Sequence, residues 1–185
     1  MVKVEKKLSD SLKRINFIFK NEEIPTECVK SYKGFSLLGE NFGSFEKGKN
    51  YRIEYFKAIP FIEKGILKVV ASDKCDNVDV QRYAISERDD QKLIQRNNIY
   101  FLNKIKEFKF FMEKEVQYKL KPKIDLDRFN SYAMNIIDSR LLKLLKLSKS
   151  ELSLDDERKL TTSEKLLYKH LADLIKIWRN FFIVN

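Results

Sequence analysis

Glycine is confined to one stretch of this chain. All five glycines lie between Gly34 and Gly65, and none occurs from Ile66 onwards. Glycine is favoured at tight turns and at positions that need a positive φ angle, so its distribution separates a turn-rich part from the rest. The sequence therefore predicts a small turn-rich module followed by a helical one that contains no glycine.

The apolar residues in and around the glycine-containing stretch follow the pattern of strands. Residues 51–55 (YRIEY) alternate strictly, which is typical of a strand with one buried face. Pro25 restricts the residue before it to an extended conformation, and Pro60 interrupts a helical pattern over 56–64, where we expect a short helix that begins or bends at the proline. The predicted strands are 14–19, 27–32, 35–38, 51–55 and 66–70, with turns at 21–25 and 46–50.

The hydrophobic period changes after a polar segment, residues 71–80 (ASDKCDNVDV). Apolar residues then recur every three or four positions, which predicts helices over 87–120 and 126–147. Thr161 and Glu164 have the spacing of a capping box at the start of a last helix. The predicted fold class is α+β, with a small β-rich domain at 1–72 containing one short helix, a linker at 73–80 and a larger all-α bundle, the assembly domain, at 81–185.

The charge of +10 raises the question of nucleic-acid binding. The excess is spread evenly, with 14 basic and 9 acidic residues in 1–72 and 23 basic and 18 acidic residues in 73–185, as on an ordinary solvated surface. One row of cations recurs every three residues without an acid between them. These candidates for weak contact with phosphate are Arg140, Lys143, Lys146 and Lys149. A basic nucleic-acid-binding module that acts without catalysis is therefore the alternative function.

Cysteine content and hydropathy predict the compartment. Cys28 and Cys75 are the only cysteines, and no segment resembles a signal peptide, so we expect a reducing compartment without a disulfide framework. No apolar run approaches the roughly 20 residues of a membrane span. We expect a cytoplasmic protein that has no membrane partner.

Few residues offer catalytic chemistry. His170 is the only histidine, which excludes a site with two histidine ligands, and we expect it to lie at the surface or half-buried beside Asp173. Asp125 and Asp127 could in principle contribute to a Mg²⁺ site, but their position at the start of a predicted helix favours a role as N-terminal charges. The glycines form no phosphate-binding motif. The sequence predicts no catalytic, cofactor-binding or metal-binding residues, and no enzyme.

The last helix has a large apolar content close to its end. Two interpretations stay open: these residues close the core of their own chain, or they pack against another subunit, because aromatic anchors dominate stable interfaces. The residues of this candidate interface are Leu167, Leu171, Leu174, Trp178 and Phe182.

Several segments resemble the archaeal GINS family of DNA-replication proteins. Residues 39–45 (GENFGSF), 47–49 (KGK), 55–58 (YFKA) and 62–67 (IEKGIL) are similar to the β-domain of that family. Residues 137–145 (IDSRLLKLL), 160–168 (LTTSEKLLY) and 177–179 (IWR) resemble two of its helices. The order of the modules is similar to the paralogue class in which the small domain comes first.

The resemblance implies a non-catalytic structural subunit. In the GINS family, two copies each of two paralogous subunits form a heterotetramer through their helical domains. That assembly joins the MCM helicase to a RecJ-like protein during chromosomal DNA replication, so the implied location is the cytoplasm, at replication forks on the nucleoid. A weak contact with DNA within the complex is compatible with this role.

Overall fold

A computed structural model of the chain describes residues 2–37 and 39–183 and has the predicted α+β fold. A small N-terminal sheet region is followed by a larger helical region, which confirms the predicted fold class. The helices and strands, in chain order, are α1 (Val2–Lys20), β1 (Glu23–Cys28), β2 (Phe35–Leu37), β3 (Glu40–Phe42), β4 (Asn50–Glu54), α2 (Tyr55–Glu63), β5 (Leu67–Val69), α3 (Asn77–Asp89), α4 (Phe101–Gln117), α5 (Lys123–Leu147), α6 (Leu154–Lys159) and α7 (Thr162–Ile183).

The contacts divide the chain into two compact units. The small unit is Phe17–Lys74, and the helical unit combines Met1–Asn16 with Cys75–Asn185. The predicted division places residues 1–72 together, whereas the described residues 2–16 belong by their contacts to the helical unit. The segment predicted as a linker contains the start of α3, because Asp76 caps that helix by accepting hydrogen bonds from the amides of Val78 (3.0 Å) and Asp79 (3.2 Å).

The small unit is built around a three-stranded antiparallel sheet with the strand order β4–β1–β5. Thr26 on the central strand lies opposite Tyr51 and Val69. The core packed against this sheet is aromatic, with the ring centroids of Phe45 and Phe61 5.0 Å apart. Its buried residues are Cys28, Phe45, Phe61, Ile66 and Leu67.

The strand and turn predictions before residue 32 need correction. The predicted strand at 14–19 is wrong, because these residues continue the long helix α1. The apolar residues of this segment follow a helical spacing once Leu8 and Leu12 are counted with Ile15 and Phe19, and a six-residue window hides that period. Of the turn predicted at 21–25, only the first two residues lie outside regular structure. The strand predicted at 27–32 begins and ends four residues earlier, at Glu23–Cys28.

Gly34 shows why glycine is needed in the small unit. Its φ angle is +80°, and a Cβ atom there would lie 2.6 Å from the backbone nitrogen of Ser44 and 2.7 Å from the carbonyl oxygen of Phe42. A larger residue would meet both backbone strain and a steric clash. Gly34 therefore allows the close approach of two chain segments beside the β2–β3 hairpin.

The single helix predicted over 87–120 is two helices, so that prediction is wrong. Helix α3 ends at Asp89 and α4 begins at Phe101. Side chains between them bind backbone amides that a helix would use: Asp90 Oδ1 accepts from the amide of Lys92 (2.8 Å) and Asn98 Oδ1 accepts from that of Tyr100 (2.7 Å). Such local bonds compete with helix formation and end it.

Helix α5 agrees closely with its predicted range of 126–147, and α6 fills part of the charged connection that follows it. Helix α2 extends on both sides of Pro60, rather than beginning there. Among the helices that the structure describes, none has the length and apolar character needed to cross a lipid bilayer.

Candidate interaction surface

Helix α7 starts at the capping box that the sequence predicts. The amide of Thr161 donates to Glu164 Oε2 (2.8 Å), and the amide of Glu164 donates to Thr161 Oγ1 (3.4 Å). These reciprocal bonds satisfy two amides that would otherwise lack partners at the helix start. The predicted capping box is confirmed, and it fixes the position at which α7 begins.

The first half of α7 packs against its own chain. Leu167, Tyr168 and Leu171 contact a buried cluster formed by Leu93, Leu144 and Leu160. The Tyr168 hydroxyl also donates to the carbonyl oxygen of Ser150 (2.9 Å). Two of the five residues of the candidate interface, Leu167 and Leu171, therefore belong in part to the core of the helical unit.

The second half of α7 has the same apolar stripe but nothing from the described chain covers it. Five side chains, which we call the apolar end of α7, remain between 55% and 79% exposed: Leu174, Ile177, Trp178, Phe181 and Phe182. The Trp178 and Phe182 rings are 5.0 Å apart, and the cluster lines a shallow depression of about 710 Å³. Contiguous exposed apolar surface of this kind marks interaction sites.

Three exposed cations lie on the segments where the second half of α7 meets the turn after α5. Arg179 Nη1 donates to the carbonyl oxygen of Lys149 (2.8 Å), which joins α7 to the turn after α5. We call the cations of these two segments the basic border. They are Lys146, Lys149 and Arg179, and within the described part of the chain none of them forms an ion pair.

Half of the predicted phosphate-binding row is inside the protein. Arg140 is 1% exposed and Lys143 is 8% exposed, so the prediction that these two contact phosphate is wrong. Both belong to a buried ion cluster that joins α3, α5 and α7. Its members are Glu87, Arg96, Arg140, Lys143 and Glu164. Lys146 and Lys149, the rest of the row, are exposed.

The geometry of the buried ion cluster is that of a closely paired network. Arg140 binds Glu164 through two hydrogen bonds, from Nε to Oε1 (2.7 Å) and from Nη2 to Oε2 (2.8 Å). Glu87 accepts from Arg140 Nη1 (2.5 Å), Arg96 Nη2 (2.7 Å) and Lys143 Nζ (2.9 Å). Since every charged group has an opposite partner, the cluster holds three helices together and is not free to bind a ligand.

Burial and charge act in opposite directions on the pKa of Glu87. Burial alone would raise it, but the hydrogen bond from Lys143 and the charges of Arg140 and Arg96 outweigh that effect, and the pKa is lowered from its ordinary value of 4.5. For Arg140, burial alone would lower the pKa. The hydrogen bonds and charges of Glu164 and Glu87 outweigh that effect, so the pKa of Arg140 is raised. Both groups stay charged at neutral pH.

The lowered pKa of Glu87 predicts acid sensitivity. A carboxylate with a lower pKa in the folded state adds stability above its unfolded-state pKa and loses that contribution as the pH falls through the folded-state value. We expect the free energy of unfolding of the wild type to fall more steeply below about pH 4.5 than that of Glu87→Gln. Urea titrations of both proteins between pH 3 and 7 measure this; parallel curves would contradict it.

The structure also locates the remaining residues considered for chemistry. Asp125 lies in the first turn of α5 and accepts a long hydrogen bond from Asn77 Nδ2 (3.5 Å). His170 is half-buried on α7, and no ion pair with Asp173 occurs in the described part of the chain. Among residues 2–37 and 39–183, no group of three or more histidine, cysteine or acidic residues is arranged to hold a metal ion.

The sequence matches no protein-family model, and comparison with curated proteins gives no match. Two surfaces of the chain itself, the apolar end of α7 and the basic border, remain exposed and call for a functional explanation.

Proposed function

We propose that this chain is a non-catalytic scaffold subunit of the GINS type. It would assemble with a paralogous subunit into a 2:2 heterotetramer and link the MCM helicase to a RecJ-like protein in archaeal chromosomal replication. The proposal is supported by the resemblance of segments 39–67 and 137–179 to that family and by the order of the two modules. It places the protein in the cytoplasm, at replication forks on the nucleoid.

The observation that carries the proposal is the apolar end of α7. A tryptophan and two phenylalanines are each at least 66% exposed there. Contiguous aromatic surface of this kind is typical of a site that a partner covers. Aromatic side chains bury 150–250 Å² each, so the five residues together offer on the order of 600 Å² to a partner. A standard interface buries about 800 Å² on each side, so the apolar end supplies most of one such surface.

The alternative function, a basic nucleic-acid-binding module without catalysis, has weaker support. The burial of Arg140 and Lys143 removes half of the cation row on which it depended. Two exposed lysines remain from that row, which is enough for a weak contact with DNA in a larger complex. To replace the scaffold function, this alternative requires the isolated protein to bind DNA tightly, with an affinity that falls steeply as the salt concentration rises.

The test of the scaffold function is the mass of the assembly. We expect co-expression with a paralogous subunit from the same genome to give a discrete 2:2 complex by size-exclusion chromatography with light scattering. Trp178→Ala/Phe182→Ala is expected to weaken that complex by at least a hundredfold, because truncated aromatic anchors each cost about 2 kcal/mol or more.

The matched control for this test lies elsewhere on the helical unit. Tyr118→Ala/Leu120→Ala also removes large exposed side chains, which are 55% and 74% exposed, and is expected to leave the complex intact. If the protein stays monomeric in the presence of every paralogous subunit tested, the result would contradict the proposal. High-affinity, salt-sensitive binding of a DNA oligonucleotide by the isolated chain would support the alternative instead.

A further inference from the structure

The basic border is not explained by the apolar contact alone. Lys146 and Lys149 lie one turn apart at the end of α5 and beyond it, and Arg179 lies on α7 next to Trp178. The bond from Arg179 to the Lys149 carbonyl brings the two segments together. All three side chains are exposed.

The local charge is positive even after the nearest acids are counted. Glu151 and Asp173 are the acidic residues next to the border in sequence, and both are exposed. Neither forms an ion pair with a border cation in the described part of the chain. A partner that covers the apolar end therefore meets an excess of unpaired positive charge at its margin.

This charge disfavours a second copy of the chain as the occupant. A symmetric contact would place the same patch on both sides, so six border cations would be brought together. The chain as a whole also carries +10, which adds long-range repulsion between copies. Like charges opposed across an interface repel each other, whereas carboxylates on a different chain would be attracted.

We propose that the apolar end of α7 binds a different protein chain, through an apolar surface edged by carboxylates. This inference rests on the scaffold function proposed above and specifies the chemistry of the partner at that site. The aromatic side chains supply the affinity, and the basic border steers the approach of the acidic partner and selects it over self-association. A protein is favoured over a membrane because the stripe is continuous with the part of α7 that is packed in a protein core.

The test is the association rate of the complex with the paralogous subunit, measured by surface plasmon resonance over a series of NaCl concentrations. We expect the wild-type rate to fall as salt rises, and Lys146→Glu/Lys149→Glu to lower it about tenfold at low salt and flatten its salt dependence. The matched control, Lys119→Glu/Lys123→Glu, makes the same charge change at two exposed lysines, one just after α4 and one at the start of α5, and is expected to behave as the wild type.

The outcomes separate this inference from the scaffold function. If no complex forms at any salt concentration, the scaffold function fails. If the complex forms but the border variant associates like the wild type, only the inference is overturned. Two other results would also overturn it: a dimer of the isolated chain that Trp178→Ala dissociates, or binding to phosphatidylserine vesicles that the border variant loses.

Discussion

Replacing Glu87 with alanine is expected to lower the free energy of unfolding of the helical unit by about 3–5 kcal/mol, the usual cost of removing one partner from a buried ion pair. Glu87 is fully buried and accepts hydrogen bonds from Arg96, Arg140 and Lys143. Its loss leaves three cations with Glu164 as the remaining carboxylate of the cluster. Urea denaturation at pH 7, followed by far-UV circular dichroism, measures the change.

The control for Glu87→Ala is a glutamate that makes the same kind of contact at the surface. Glu113 pairs with Lys109 at 3.7 Å on α4, and both side chains are about half exposed. Glu113→Ala is expected to change the free energy of unfolding by no more than about 0.5 kcal/mol. If both variants were equally stable, the buried ion cluster would not be holding the helices together.

The second large effect is expected in the small unit. Phe61 is 5% exposed and its ring lies 5.0 Å from that of Phe45 and 5.6 Å from that of Tyr32. Phe61→Ala leaves a cavity in a small core, and the expected loss of stability is about 3–5 kcal/mol. Hydrogen exchange of the amides of β1 and β4 in the whole protein reports the stability of this unit directly.

The same helix provides the matched control. Phe56 also lies on α2 but is 44% exposed, so Phe56→Ala removes an equal volume without opening a buried cavity. We expect its amide protection to stay close to that of the wild type. Equal losses in both variants would mean that the aromatic cluster around Phe61 is not the core of the unit.

Periodicity predicted the long helices better than the short elements. Helices α5 and α7 have apolar stripes of several turns, and α7 also has a capping box, so their positions follow from local sequence. The strand predicted at 14–19 is wrong, since these residues belong to helix α1 and six residues do not separate the two periods. The break between α3 and α4 depends on two side-chain-to-backbone bonds, from Asp90 and Asn98, which no hydrophobic pattern indicates.

The candidate interface follows only in part from the sequence. Leu174, Trp178 and Phe182 stand out by their apolar side chains near the end of a helix; the structure leaves them exposed, and their role in an interface stays a prediction. The prediction that Arg140 and Lys143 lie at the surface is wrong. Their partner Glu87 is more than fifty positions away in sequence, so no local pattern reveals that these cations are neutralised in the interior.

The buried ion cluster also has a consequence for the order in which the protein forms during translation. The sheet of the small unit needs only residues 23–69, which leave the ribosome early. Until Glu164, in the first turn of the final helix, has been made, the three cations of the cluster share one carboxylate, that of Glu87. Since domains fold as units during synthesis, the small unit can complete its core while the nascent helical unit still holds hydrated, unpaired charges. The last helix to be made is thus the one that closes the larger unit.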